Sequence, residues 1–297
     1  MKRVVDDKRV KNNKKYKRKK LRSIRINQSK IDIKMDPFVT SKTKKKNTLP
    51  IYIFRLISCI IIIICLFLLN KWIQENKANK DILNNIQSQV SFSTEQQFLP
   101  QETTTPKPNE YSRDFEILND INQDTIGWLH INNTDINHPI VQTKNNDYYM
   151  THNFKKEYNS AGWIFADYRN NFNTNDDKNT IIYGHNRKDG SMFSSLNNIL
   201  DKNWHTDPTN QIITLYTANK KLQYRIFAVY TINAEEFENL TEFKTEKEYQ
   251  NYINNSIQHS IYNFNTKVST EDKIITIYTC ANNNIDRIIL QGKLITD

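Results

Sequence analysis

Cysteine is scarce: the chain of 297 residues has three, and two of them, Cys59 and Cys65, sit inside one apolar run. Cys280 is then the single thiol of the region beyond that run, which excludes a disulfide within it. No His, Cys and carboxylate residues recur at ligand spacing, so no metal site and no cofactor is expected. Asp176-Asp177 reads as a solvated turn, with a weak cation site as the sharper alternative. No segment repeats. Acidic residues are few at the N-terminus: residues 1–46 carry 19 Lys/Arg against 4 Asp/Glu, and the remainder carries 23 against 28. The formal charge of +10 is therefore the property of a tail, and the chain is not a general polycation.

That tail has no apolar face to bury, and its like charges repel, so it reads as solvated. A nucleic-acid-binding arm is the competing reading, but the next segment explains the tail better, and no nucleic-acid partner is expected. From Ile51 to Leu69 the only charge is Arg55, in a run of 19 residues. At about 1.5 Å per residue, a helix of that length nearly crosses a hydrocarbon core of roughly 30 Å. Arg55 can reach the headgroups from the basic end, and Trp72 follows the far end as an interfacial aromatic. Polar residues are nearly lacking on every face, unlike a buried core helix. The leading basic region is too long, and the exit lacks the small residues, for a cleaved signal peptide. The Lys/Arg bias puts the N-terminus in the cytoplasm and the rest outside the cell, a single-pass arrangement in the cell membrane.

Four regions follow: a basic tail over 1–50, a membrane anchor over 51–70, a flexible extracellular linker over 71–110 and a folded domain over 111–297. The linker reading rests on the Gln, Asn, Thr and Lys of residues 74–109 and on the prolines of Thr103-Thr104-Thr105-Pro106-Lys107-Pro108. Beyond it, aromatic and β-branched residues come in short runs. Strands are expected over 127–131, 140–142, 163–166, 180–183, 211–216, 224–230, 273–279 and 287–294, separated by Asn, Asp and Gly turns. Ser112 is placed to cap a short helix that presents Phe115, Leu118 and Ile121. One or two helical turns fit residues 195–200. Thr245 and Glu248 form a capping-box pair ahead of Tyr249, Tyr252, Ile253, Ile257 and Ile261, a packing stripe at helical spacing. Short strands with one late helix imply a mostly β fold, a closed or nearly closed barrel with peripheral helices.

Cys280 ends the run Ile274-Ile275-Thr276-Ile277-Tyr278-Thr279 and, after six residues, Arg287 opens Ile288-Ile289-Leu290. A lone cysteine can simply be a small buried apolar residue. If the two runs pair antiparallel, however, a permanent guanidinium lies beside the thiol, favouring thiolate and able to hold an oxyanion. Such a nucleophile needs a proton partner. His130, His138, His152, His205 and His259 lie in polar or turn-like stretches and read as solvated. His185 directly follows Ile181-Ile182-Tyr183-Gly184, a strand end of the kind that carries function.

The stretch Asn179-Thr180-Ile181-Ile182-Tyr183-Gly184-His185-Asn186, with Asp189-Gly190-Ser191-Met192-Phe193 and Leu196, resembles the histidine motif of class B sortases. Thr276-Ile277-Tyr278-Thr279-Cys280 with Arg287-Ile288 is similar to the sortase cysteine–arginine signature. In order before these, Asn119 to Gly127-Trp128-Leu129, Pro139-Ile140-Val141-Gln142, Asn146-Asp147-Tyr148-Tyr149 and Gly162-Trp163-Ile164-Phe165-Ala166-Asp167-Tyr168-Arg169 also resemble class B. The resemblance spans nearly all of 111–297. It departs from many relatives at Tyr278, where they carry Ser, and in a shorter loop between cysteine and arginine.

The resemblance implies an eight-stranded barrel and a membrane-anchored cysteine transpeptidase. It also implies a thioacyl-enzyme on Cys280, with His185 and Arg287 as its partners. By position it maps a sorting-signal groove onto Asn146, Met150, Tyr183, Tyr278 and Thr279, and the Ala281 N–H is a second candidate oxyanion donor. The implied partners are secreted proteins with a C-terminal sorting signal, cleaved after Thr, and a peptidoglycan-precursor amine. A pilin-polymerising sortase, a hydrolytic cysteine peptidase and a catalytically silent surface-binding domain are the rival expectations.

Overall fold

The structure, a computed structural model, describes residues 49–91, 111–172, 174, 176–280 and 285–296, with Cys280 described by its backbone. The basic tail up to residue 48, residues 92–110 of the expected linker and Ala281 lie outside the described residues.

The apolar run is helical, as its composition requires, but the helix α1 runs on from Leu49 to Gln87. It is long and apolar enough to cross a membrane. Residues 71–87 of the expected linker are therefore helical. Asn79, Ile82 and Ile86 are buried, and their spacing of three and four residues lines them along one face. Within a polar sequence this stripe is too thin to announce a core, and only the folded domain supplies its other half. Asn79 Nδ2 donates to the Gly162 carbonyl at 3.2 Å, Asn159 Nδ2 donates to the Glu75 carbonyl at 2.9 Å, and Gln87 Nε2 donates to the Asn137 carbonyl at 2.8 Å. Burying each isoleucine contributes roughly 1.5–3 kcal/mol.

Helix α2 (Ser112–Ile121) buries Phe115 and Leu118 as expected, but Tyr111 holds the cap position and no side chain caps the helix. Eight strands then follow: β1 (Thr125–Ile131), β2 (Asn137–Val141), β3 (Phe165–Ala166), β4 (Asn179–Gly184), β5 (Ile212–Tyr216), β6 (Lys221–Asn233), β7 (Ile274–Cys280) and β8 (Asp286–Leu294). Short helices α3 (Leu196–Ile199) and α4 (Lys202–Thr206) lie between β4 and β5, and α5 (Glu246–His259) between β6 and β7. The strands close into a barrel in the order β1-β2-β3-β4-β7-β8-β6-β5. Two junctions are parallel, β2 with β3 and β4 with β7. A parallel pair needs a long crossover, and residues 185–273 provide it.

Alternation along the strands gives the sheet two apolar faces. Ile275, Ile277, Ile288 and Leu290 join the barrel core with Trp128, Trp163 and Phe193. Ile274 and Ile289 pack instead with Tyr249, Tyr252 and Ile253 of α5. Between these layers, Thr276 Oγ1 donates to Asn179 Oδ1 at 2.8 Å, and Gln291 Nε2 donates to Thr276 Oγ1 and to the Tyr252 hydroxyl, both at 3.1 Å. Thr245 Oγ1 caps α5 by accepting the Glu248 N–H at 3.1 Å. Glu248 Oε2 in turn accepts the Lys244 N–H at 2.6 Å, one residue short of the cap itself. The apolar stripe of α5 is shorter than its spacing suggests, because Ile257 is 45% exposed and Ile261 lies beyond the helix end and is 50% exposed.

His138 departs from the solvated reading. It is 3% exposed on β2, its Nδ1 accepts the Asn137 N–H at 3.0 Å, and its ring meets the Trp163 ring edge-on. Burial pushes its pKa down from 6.5 to about 4. The folded chain therefore refuses a proton that the unfolded chain accepts near 6.5. Stability from this site is complete above pH 6.5 and falls as the pH drops towards 4, by about 3 kcal/mol. His130, held low by burial and by Lys221, adds a slope of the same sign. Denaturant unfolding of the full chain in detergent should lose stability between pH 7 and pH 4.5, and His138→Phe should flatten that loss measurably. Equal slopes for parent and variant would contradict this assignment.

Candidate active site

The site is built where β4, β7 and β8 end together. In the parallel pair, Gly184 lies opposite Thr279, so the residues that follow, His185 and Cys280, leave neighbouring strands at the same end. In the antiparallel pair, Cys280 lies opposite Arg287. The antiparallel pairing on which the sequence argument depended is thus present, and β4 brings the histidine to the same rim.

His185 is held from two sides. Its Nε2 lies 2.9 Å from the Met150 carbonyl, and since a carbonyl only accepts, Nε2 carries a proton there. Its own carbonyl accepts the Phe193 N–H at 2.9 Å. The turn Asp189-Gly190-Ser191-Met192-Phe193 makes this return possible. Gly190 is left-handed at φ 86°, and Asp189 Oδ1 accepts the Ser191 N–H at 3.1 Å and its hydroxyl at 2.7 Å. Fully buried Phe193 then lies against Gly184, where an added Cβ would stand 2.6 Å from its ring. Gly162 serves the facing segment: at φ 60°, a Cβ there would stand 2.5 Å from the Tyr149 carbonyl, immediately before Met150.

Arg287 is half-buried. Its Nε donates to the Tyr278 hydroxyl at 3.1 Å, its Nη1 donates to the Asp286 carbonyl at 3.0 Å, and its guanidinium stands 5.8 Å from the Tyr278 ring centre. Tyr278 meets Tyr183 edge-on at 5.3 Å and also packs on Phe237. Tyr183 donates its hydroxyl proton to Asp167 Oδ2 at 2.8 Å, and Asn146 Nδ2 donates to the same oxygen at 3.1 Å. Of the groove positions expected from sequence, Asn146, Tyr183 and Tyr278 thus connect to Arg287 through hydrogen bonds and ring contacts, while Met150 is bonded to His185. Thr279 is 1% exposed, and its Oγ1 has no partner among the described residues.

Asp167 and Arg169 carry no role that the sequence pattern alone announces. Asp167 is fully buried and receives Arg169 Nε on Oδ1 at 2.8 Å and Arg169 Nη2 on Oδ2 at 2.7 Å. Burial raises its pKa, but the Arg169 and Tyr183 hydrogen bonds and the Arg169 charge outweigh burial and hold the carboxyl below the usual carboxylate range. Burial, with Asp167 beside it, pushes the Tyr183 hydroxyl up. An acid and a base two residues apart, directly after the apolar run 163–166, were the available signal. Among the described residues, no three His, Cys, Asp or Glu side chains converge as metal ligands.

Residues 129–295 match the family model described as the sortase domain. The chain belongs to the sortase family. Sortase B of Listeria monocytogenes is 37% identical over 249 residues, covering 80% of this chain and 96% of that protein. A mutant form of Clostridium perfringens sortase B superposes with a TM-score of 0.63 at 30% identity, over 72% of this chain and 97% of that one. The Staphylococcus aureus sortase B–substrate complex superposes at 0.64 with 27% identity, over 75% of this chain and 99% of that one. The protein is accordingly a class B sortase, a cysteine transpeptidase of the cell-wall anchoring kind, on the eight-stranded barrel of that class.

In this sortase the approach of Phe193 to Gly184 limits the strand end that carries His185. Gly184→Ala should cost about 1–3 kcal/mol by overpacking. It should also slow turnover more than the same loss of stability placed elsewhere, measured by melting and by transpeptidation at a temperature where both proteins are folded. Unchanged melting would show that Phe193 can move aside.

Proposed function

We propose that Cys280 is the nucleophile of this sortase, His185 its proton donor and acceptor, and Arg287 its oxyanion-stabilising group. The observation that carries the reading is the strand register that brings these three residues to adjacent strand ends. The substrate is a secreted protein bearing a C-terminal sorting signal, lying extended along Asn146, Met150, Tyr183 and Tyr278. Thr279, being buried, enters only as the backbone neighbour of the nucleophile.

The Cys280 thiolate attacks the carbonyl carbon of a threonine in the signal, and the carbonyl electron pair moves to oxygen. Arg287 stabilises that oxyanion. As it collapses, imidazolium His185 protonates the departing amine, the C–N bond breaks and a Cys280 thioester remains. A peptidoglycan-precursor amine then attacks the thioester, and neutral His185 takes its proton. The thiolate leaves, and a new amide joins the protein to the wall precursor. Hydrolysis would share the first half of this sequence and differ only in the acceptor. The bond from Arg287 to Tyr278 holds the guanidinium plane, a geometry that a lysine cannot reproduce.

The helix over 51–70 is the anchor, with residues 1–50 cytoplasmic and the barrel outside. Protease added to intact, wall-stripped cells should remove the barrel and spare the tail, and the reverse pattern would invert the topology.

Arg287→Lys keeps the charge and loses the fork. Its stability should fall by about 1 kcal/mol for the lost bond to Tyr278. Transpeptidation should slow by about a hundredfold to a thousandfold, while a small alkylating agent still reacts with Cys280, since alkylation develops no oxyanion. Near-parent turnover in Arg287→Lys, or any turnover in Cys280→Ala, would overturn the assignment.

A further inference from the structure

We propose that Asp167, through its ion pair with Arg169, is a positioning residue for the sorting peptide. It fixes Tyr183 and Asn146 in the groove and ties them to the segment that covers Tyr278. The inference rests on the groove reading above and adds the element that gives the groove its shape.

A buried carboxylate is costly unless its lone pairs are engaged, and those of Asp167 are engaged almost entirely by groove residues and their supports. Oδ1 accepts Arg169 Nε and the Arg169 backbone N–H, at 2.8 and 3.0 Å. Oδ2 accepts Arg169 Nη2 at 2.7 Å, the Tyr183 hydroxyl at 2.8 Å and Asn146 Nδ2 at 3.1 Å. Neither Tyr183 nor Asn146 is fully buried, so both present surface to a ligand while Asp167 holds a polar atom of each.

The arrangement extends in two directions. Asn146 Oδ1 accepts the Tyr168 N–H at 3.0 Å, which sets the amide plane from both ends. Arg169 Nη2 also donates to the Asn239 carbonyl at 2.8 Å. Asn239 belongs to the stretch between β6 and α5, whose Phe237 packs on the Tyr278 ring at 5.3 Å. The Asp167–Arg169 pair thus ties together the segment before Met150, the end of β4 and the segment over Tyr278. A pair kept only for stability could be replaced by apolar side chains at little cost. This pair instead sends its hydrogen bonds to residues that line the groove. Asp167 has no role at the reacting atoms, so its effect should fall on peptide binding and leave the chemical step alone.

The test uses the full chain in detergent and the sorting peptide that the parent turns over best from a library of such sequences. Asp167→Asn should raise KM about tenfold, with kcat within about twofold, since a hydrogen bond to a charged group is at stake. The alkylation rate of Cys280 should not change. In a Tyr183→Phe background the Asp167→Asn effect on KM should shrink to less than half, because the shared bond is already gone. An unchanged KM, a fall in kcat alone, or an undiminished effect in the Tyr183→Phe background would overturn the proposal. Should Asp167→Asn fail to fold, Arg169→Gln, at the more exposed end of the pair, carries the same expectations and decides the question. Met150→Ala and Tyr183→Ala separate the two readings. If neither raises KM, the groove itself is wrongly placed, and if both do while Asp167→Asn does not, only the positioning role fails.

Discussion

The parallel pairing of β4 with β7 is the constraint on which the rest of the site depends. Parallel strands finish at the same end, so Gly184 beside Thr279 sends His185 and Cys280 out of the sheet as neighbours. An antiparallel junction in the same place would put the histidine at the opposite rim, about six residues or roughly 20 Å away at 3.3 Å per residue. The long crossover this pairing requires is occupied by α3, α4, β5, β6 and α5, so much of the domain serves to bring two strand ends side by side. The antiparallel β7–β8 hairpin completes the rim by returning Arg287 opposite Cys280.

Around this rim the sequence is shaped by close contact and by charge. Gly184 has no room for a side chain because Phe193 folds back upon it, and the histidine motif is the turn that allows this return. On the other side a single buried acid, Asp167, is kept ionised by Arg169 and gathers Tyr183 and Asn146. Apolar packing fixes the strands, while directional bonds to a charge fix the side chains between them.

The continuation of α1 changes how the apolar run relates to the barrel. Ile82 and Ile86 enter the barrel core, and Asn79 and Gln87 bond to barrel carbonyls. The stretch that follows the apolar run is therefore docked on the domain as far as Ser91, whose N–H donates to Asp114 Oδ2 at 3.0 Å. Asn76 also accepts a bond from Arg187, two residues beyond His185, so the docked helix borders the histidine turn.

Much of this protein follows from local pattern. The eight strands, the capped α5 and the apolar helix were legible because alternation, the Thr245–Glu248 pair and an uncharged run are each complete within a short stretch of chain. The antiparallel approach of Cys280 and Arg287 was legible too, since six residues separate them. Tertiary structure decided what depends on distant partners. The stripe of Asn79, Ile82 and Ile86 becomes a packing face only against the barrel, and His138 is buried by Trp163 rather than by its own polar neighbours. Tyr183 and Asn146 meet at Asp167 from segments that are not adjacent in sequence. Periodicity records which side of a strand or helix is apolar, but it carries no information about which element will cover that side, because covering is a long-range contact chosen when the whole chain closes.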